Sequence, residues 1–191
     1  MVRPIVGEVN RVAFEYLKSL SGGMDKNIIL EEIMLAHGED VWNYAFFMTR
    51  KKELADDITQ EVFVKVYERL YSFRGEASVK TWLLTITRNM VKDHWRSAWI
   101  RKVIPFGLQT KDSSSPSAEA EALSMLVEEE VWQVVLELPR KLREVLLLHA
   151  HHQLTHTEIA GLLSLSEGTV KSRLFRARAK VSGLLNKEGK P

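Results

Sequence analysis

From about residue 26 to residue 185, apolar residues return every three or four positions and almost never alternate. The chain is therefore built to fold as helix and gives nearly no strand signal. Helical patterns run over 26–36, 39–50, 53–72 and 79–101, then over about 123–137, 140–151, 156–163 and 168–185. Glycines and prolines cluster between these runs. The stretch FGLQTKDSSSPSAEAEA, residues 106–122, loses the period and gains serine, proline and acids, as a tether does. Residues 1–24 are weakly patterned and end in SLSGG, a lead-in. The expected fold is all-α, with two helical domains joined by a flexible linker. Its parts are a leader 1–25, an N-terminal domain 26–104, a linker 105–122 and a C-terminal domain 123–187.

Net charge is only +2, yet charge is strongly segregated. Residues 31–61 hold eight acids against three bases, and 112–137 hold seven acids and no base. Residues 74–102 hold seven bases against two acids, and 140–191 hold ten against four. Two basic blocks parted by an acidic one imply two surfaces that meet a polyanion. Cysteine is absent, which excludes disulfides and thiolate metal sites. The N-terminus lacks a basic start followed by a long apolar run, and no apolar stretch approaches the roughly 20 residues that span a bilayer. A soluble cytoplasmic protein with no membrane insertion is expected.

The second basic block contains LTHTEIAGLLSLSEGTVKSRLFRARAKV, residues 154–181. Thr155 followed by Glu158 fits a capping box, and Ile159, Leu162 and Leu163 give that helix an apolar face. Leu165 sits in a short connection, and Ser166 is placed to cap the next helix. There Val170, Leu174, Ala177 and Val181 form a buried stripe. This is helix-turn-helix spacing, in which the second helix enters the major groove. Lys171, Arg173, Arg176 and Arg178 suit phosphates and guanine edges, Ser172 suits a base or phosphate, and Phe175 suits a thymine methyl. With Thr169 they make the DNA-facing set. The upstream LPRKLREVLLLHAHH supplies a supporting helix with Pro139 in its first turn. His149, His152 and His156 invite a metal hypothesis. Their only nearby acid, Glu158, has a capping task, so solvated or groove-lining histidines and no metal are expected.

In the first half, ELADDITQEVFVKVYERLYS, residues 53–72, turns Leu54, Ile58, Val62, Val66 and Leu70 toward a core. Asp57, Gln60, Glu61 and Val64 share another side, which is expected to serve as a docking face. Phe73-Arg74-Gly75 marks a loop, and Ser78 is placed to cap the helix that follows, whose core face is Val79, Leu83, Ile86 and Met90. Trp82, Thr85, Asn89, Lys92 and Arg96 fall on a neighbouring stripe. An indole, a hydroxyl, an amide and two cations in line suit single-stranded nucleic acid.

The segments DDITQEVFVKVY, FRGEASVKTWLLTITRN and LTHTEIAGLLSLSEGTVKSRLFRARAKV, in that order and separation, make the chain resemble the extracytoplasmic-function (ECF) sigma factors of bacterial RNA polymerase. The resemblance implies that Asp56, Asp57, Gln60 and Glu61 dock on the clamp helices of the polymerase largest subunit. It implies that Phe73 and Asn89 help capture a base turned out of the −10 promoter element, with Trp82 at the melting boundary. Lys171, Ser172, Phe175 and Arg176 match the readers of the −35 element. Core RNA polymerase, promoter DNA and an anti-sigma factor, in this group often membrane-bound, are the implied partners. No nucleophile–base pair, phosphate-cradling glycine loop or acidic metal cluster occurs, so neither catalysis nor a cofactor is expected. The competing reading is a stand-alone helix-turn-helix regulator with an N-terminal sensing or dimerisation domain. It leaves the Trp82–Arg96 stripe without a task.

Overall fold

The structure, a computed structural model, describes residues 25–103 and 130–188; of 98–103, 130, 187 and 188 it describes the backbone alone. The expected leader and linker, and the start of the expected helix at 123, lie outside the described residues. In order, the elements are α1 (Lys26–Thr49), α2 (Lys52–Arg69), a 3-10 turn (Leu70–Ser72) and α3 (Val79–Val103), followed by α4 (Glu130–Glu137), α5 (Arg140–Leu146), a π turn (Leu147–His151), α6 (His156–Leu163) and α7 (Glu167–Glu188). Among the described residues there is no strand. The chain divides into two compact units, Met1–Ala45 with Lys52–Val91, and Phe46–Lys51 with Lys92–Pro191.

In the first unit, α1 and α2 run as an antiparallel hairpin. Trp42 of α1 donates through Nε1 to Asp56 Oδ1 of α2 at 2.6 Å, and at the other end the Lys26 ammonium lies over the rings of Tyr67 and Tyr71. Ile29, Ile33, Val41, Tyr44, Ile58, Val62, Phe63 and Val66 are buried, as are Leu83, Leu84, Ile86, Met90 and Val91 of α3. Each fully buried aliphatic side chain contributes about 1.5–3 kcal/mol. The sequence pattern splits α1 at His37 and Gly38, whereas the helix is continuous over 24 residues. A mid-helix glycine costs roughly 1 kcal/mol, less than burial of Ile33 and Val41 on either side of it returns.

In the second unit α7 packs against α4, α5 and α6. Val170, Leu174 and Ala177 are buried there beside Val145, Leu147, Leu148, Ile159 and Leu163. The helix expected over 140–151 ends as α-helix at Leu146 and finishes in the π turn, where His152 N–H donates to the Leu147 carbonyl at 3.1 Å. This buries His152, which the sequence placed in solvent or along the groove. Arg143 is also buried and donates to the Leu136 carbonyl at 3.2 Å, capping the last turn of α4. Burial, with Arg50 and Arg140 nearby, lowers its pKa to about 10, so it remains a cation at neutral pH.

Candidate nucleic-acid interface

Three helical faces carry the residues singled out from the sequence. On α2, Asp57, Gln60 and Glu61 are exposed, and Val64 beside them is 59% exposed. Asp56 is half-buried and held by the Trp42 indole. Trp42 is the partner that sequence reasoning missed. It lies fourteen residues upstream, and only the closure of the hairpin brings it to Asp56.

The second face begins at the loop before α3. Gly75 has φ 69°, a left-handed conformation that glycine adopts without a Cβ penalty. Ser78 Oγ then accepts from the Thr81 N–H at 3.0 Å, the expected cap. The loop returns Phe73 to α3, where its ring meets the Trp82 indole at 4.9 Å between centroids. Trp82 is half-buried, while Asn89, Lys92 and Arg96 along the same stripe are exposed. Thr85 is half-buried, and its hydroxyl donates to the Thr81 carbonyl at 2.8 Å, leaving an oxygen lone pair to accept from outside the helix. The face thus offers a paired aromatic platform, an amide and two cations over about 20 Å of helix.

The third face lies on α7. Thr155 and Glu158 form the full capping box of α6, and Ser166 Oγ accepts from the Thr169 N–H at 3.2 Å to start α7. Between them Ser164 reverses the chain at φ 56°, and the Leu165 N–H donates to the Ala160 carbonyl at 2.9 Å. Lys171, Ser172, Phe175, Arg176 and Arg178 are exposed; Phe175 is 76% exposed. Arg173 and Thr169 are half-buried, and the Thr169 hydroxyl shares a hydrogen bond with Ser166 Oγ. The Arg176 guanidinium folds back on Ser172, reaching its Oγ at 3.1 Å. An apolar ring held out among cations on the second helix of a helix-turn-helix suits duplex DNA.

Residues 33–100 match the family described as sigma-70 region 2, and residues 128–181 match sigma-70 region 4. The ECF RNA polymerase sigma factor SigM of Bacillus subtilis is 30% identical over 162 residues, covering 83% of this chain and 96% of SigM. The ECF sigma factor SigC of Mycobacterium tuberculosis is 31% identical over 160 residues, 84% of this chain and 85% of SigC. Among solved structures, CnrH in complex with the cytosolic domain of CnrY superposes with a TM-score of 0.66 at 24% identity, over 93% of this chain and 99% of that one. The sigma factor RpoE in complex with the anti-sigma factor NepR from Bartonella quintana gives 0.63 at 20% identity, over 82% and 96%. Such likeness places the fold among helical sigma factors. A stand-alone regulator would leave the match over 33–100 unexplained. The chain belongs to the extracytoplasmic-function sigma factors of RNA polymerase, which direct promoter-specific transcription initiation.

Proposed function

We propose the following division of labour between the three faces. A domain spanning 26–104 binds core polymerase through Asp56, Asp57, Gln60 and Glu61, set against the clamp helices of the largest subunit. The same domain opens and reads the −10 element with Phe73, Trp82, Thr85, Asn89, Lys92 and Arg96. A domain spanning 123–187, tethered by 105–122, holds the −35 duplex with Thr169, Lys171, Ser172, Arg173, Phe175, Arg176 and Arg178. The protein makes no bond itself; polymerase supplies the chemistry and this chain the choice of start site.

The observation that carries this reading is the aromatic pair at the head of an exposed amide-and-cation stripe on α3. Parting a base step costs on the order of a few kcal/mol, and stacking a freed base on an aromatic side chain returns about 1–3 kcal/mol. A duplex-only binder has no need of such a platform. The basic face of α7 meets the complementary need, neutralising phosphates of paired DNA.

Two further parts of the proposal rest on relatives. CnrH and RpoE are each solved in complex with another protein, RpoE with an anti-sigma factor, which supports an anti-sigma partner for this chain. Among the described residues no helix is long and apolar enough to cross a membrane. A cytoplasmic site of action follows from the proposed partners, since polymerase and DNA are there. The test is transcription in vitro: the purified chain with core polymerase should produce discrete start sites on a promoter library, and core alone should not. Absence of directed starts, together with no affinity of the complex for unpaired oligonucleotide, overturns the reading.

A further inference from the structure

A cleft of about 630 Å3 runs along the α1–α2 hairpin. Its wall is almost wholly apolar and includes Leu30, Met34, Trp42, Phe63, Val64 and Tyr67. Met34 is 44% exposed. Gly38 sits midway along the α1 side, and a Cβ placed there would meet nothing within 4 Å. An open apolar concavity of this size marks a surface built to be covered.

Residues 1–24 lie outside the described residues and join α1 at the Leu30–Tyr67 end of the cleft. Taken whole the leader is weakly patterned, but within it Val9, Val12, Ala13, Tyr16, Leu17 and Leu20 repeat at i, i+3, i+4, i+7, i+8 and i+11. That is the apolar stripe of one helical face, with Arg11 and Lys18 on the opposite side. We propose that residues 9–20 lie in the α1–α2 cleft as a helix antiparallel to α1. Twelve helical residues extend about 18 Å, the same as the run from Leu30 to Trp42. Residues 21–25 can reach about 17 Å when extended, and Gly22 and Gly23 make the reversal easy. In this register Leu20 falls beside Leu30, Leu17 beside Met34, and Ala13 beside Gly38, the smallest residue of the stripe against the gap in the wall.

A segment tethered by five residues holds an effective concentration in the millimolar range, so it outcompetes a free partner of equal intrinsic affinity. The cleft includes Gln60 and Val64. Resting on the assignment of that α2 face to polymerase, the leader competes with core enzyme and sets how readily the chain is recruited.

The chain has no cysteine, so a disulfide placed by design reports one contact only. In the full chain, Leu17→Cys with Met34→Cys should close an intramolecular disulfide under mild oxidation, and Lys18→Cys with Met34→Cys should not. No closure, equal closure by both pairs, or disulfides between chains alone overturn the proposal; the last result assigns the cleft to a second copy. Leu17→Asp in the full chain should tighten binding to core polymerase about fivefold, as expected if the open form is roughly one-fifth populated. Unchanged affinity overturns the competition. If neither chain binds core enzyme, the docking assignment of α2 falls instead, and the disulfide yields alone decide what covers the cleft.

Discussion

The ring of Phe73 leans on the indole of Trp82, with centroids 4.9 Å apart and planes tilted by 40°. They lie nine positions apart in sequence, and the Gly75 turn closes the gap. The pair forms one aromatic platform, so under the proposed division of labour its members act together on an unpaired base. Phe73→Ala and Trp82→Ala should each slow promoter opening about tenfold, corresponding to roughly 1.4 kcal/mol of lost stacking. Because the rings support each other, the double variant should lose less than the product of the single effects, with a coupling of about 1 kcal/mol. Permanganate reactivity of −10 thymines, followed over time, measures each rate. Strict additivity would mean that the two rings serve separate tasks.

Asn89 and Lys171 should separate opening from holding. Asn89 is exposed on α3, where its amide suits the edge of an unpaired base. Asn89→Ala should reduce open complex several-fold while leaving −35 duplex affinity within about twofold. Lys171 is exposed on the helix-turn-helix face. Lys171→Ala should weaken duplex binding on every sequence and reduce the slope of log affinity against log salt by about one. Equal losses of duplex affinity in both variants, with opening intact, would refute the division.

The extent to which these faces were legible in the sequence follows from how local their causes are. The capping box of Thr155 and Glu158 needs only a three-residue spacing, and the sequence contained it in full. Of the stripe Val170, Leu174, Ala177 and Val181, the first three are buried and Val181 is half-buried; they and the outward Phe175 follow from helical period alone. Failures arose where tertiary contact decides. Continuity of α1 through Gly38 depends on what Ile33 and Val41 bury against, and the π turn depends on a bond from His152 to Leu147 that periodicity does not encode. The Trp42–Asp56 bond and the Phe73–Trp82 contact each require the chain to return on itself, although three of those four residues were already candidates.

Asp56 and Asp57 adjoin in sequence but are held differently. The Trp42 Nε1–H donates to Asp56 Oδ1 at 2.6 Å, while Asp57 is exposed. Asp57→Asn should weaken binding to core polymerase and leave the melting temperature unchanged. Asp56→Ala strips a half-buried indole of its acceptor and should cost about 1–2 kcal/mol of stability as well as affinity. Trp42→Phe, which removes the donor and keeps much of the apolar bulk, should share the stability loss. Thermal melts beside polymerase titrations distinguish them; an unchanged melt for Asp56→Ala would show that the bond contributes nothing net.

Ser164 closes α6 in the left-handed region, at φ 56° and ψ 51°, in the turn that sets α7 against α6. A Cβ in that region costs roughly 1–2 kcal/mol, and glycine is the residue that avoids the cost at a helix C-terminus. Glycine also gains freedom in the unfolded chain, which opposes part of that benefit. Ser164 is exposed, so removing its side chain opens no cavity. Ser164→Gly should therefore stabilise the C-terminal unit by about 0.5–1 kcal/mol, and Ser164→Val, β-branched in the same conformation, should destabilise it by at least as much. Denaturant unfolding of the full chain, followed by far-UV dichroism, gives both values. Duplex affinity should stay within twofold for Ser164→Gly, because the turn keeps its shape while losing its strain.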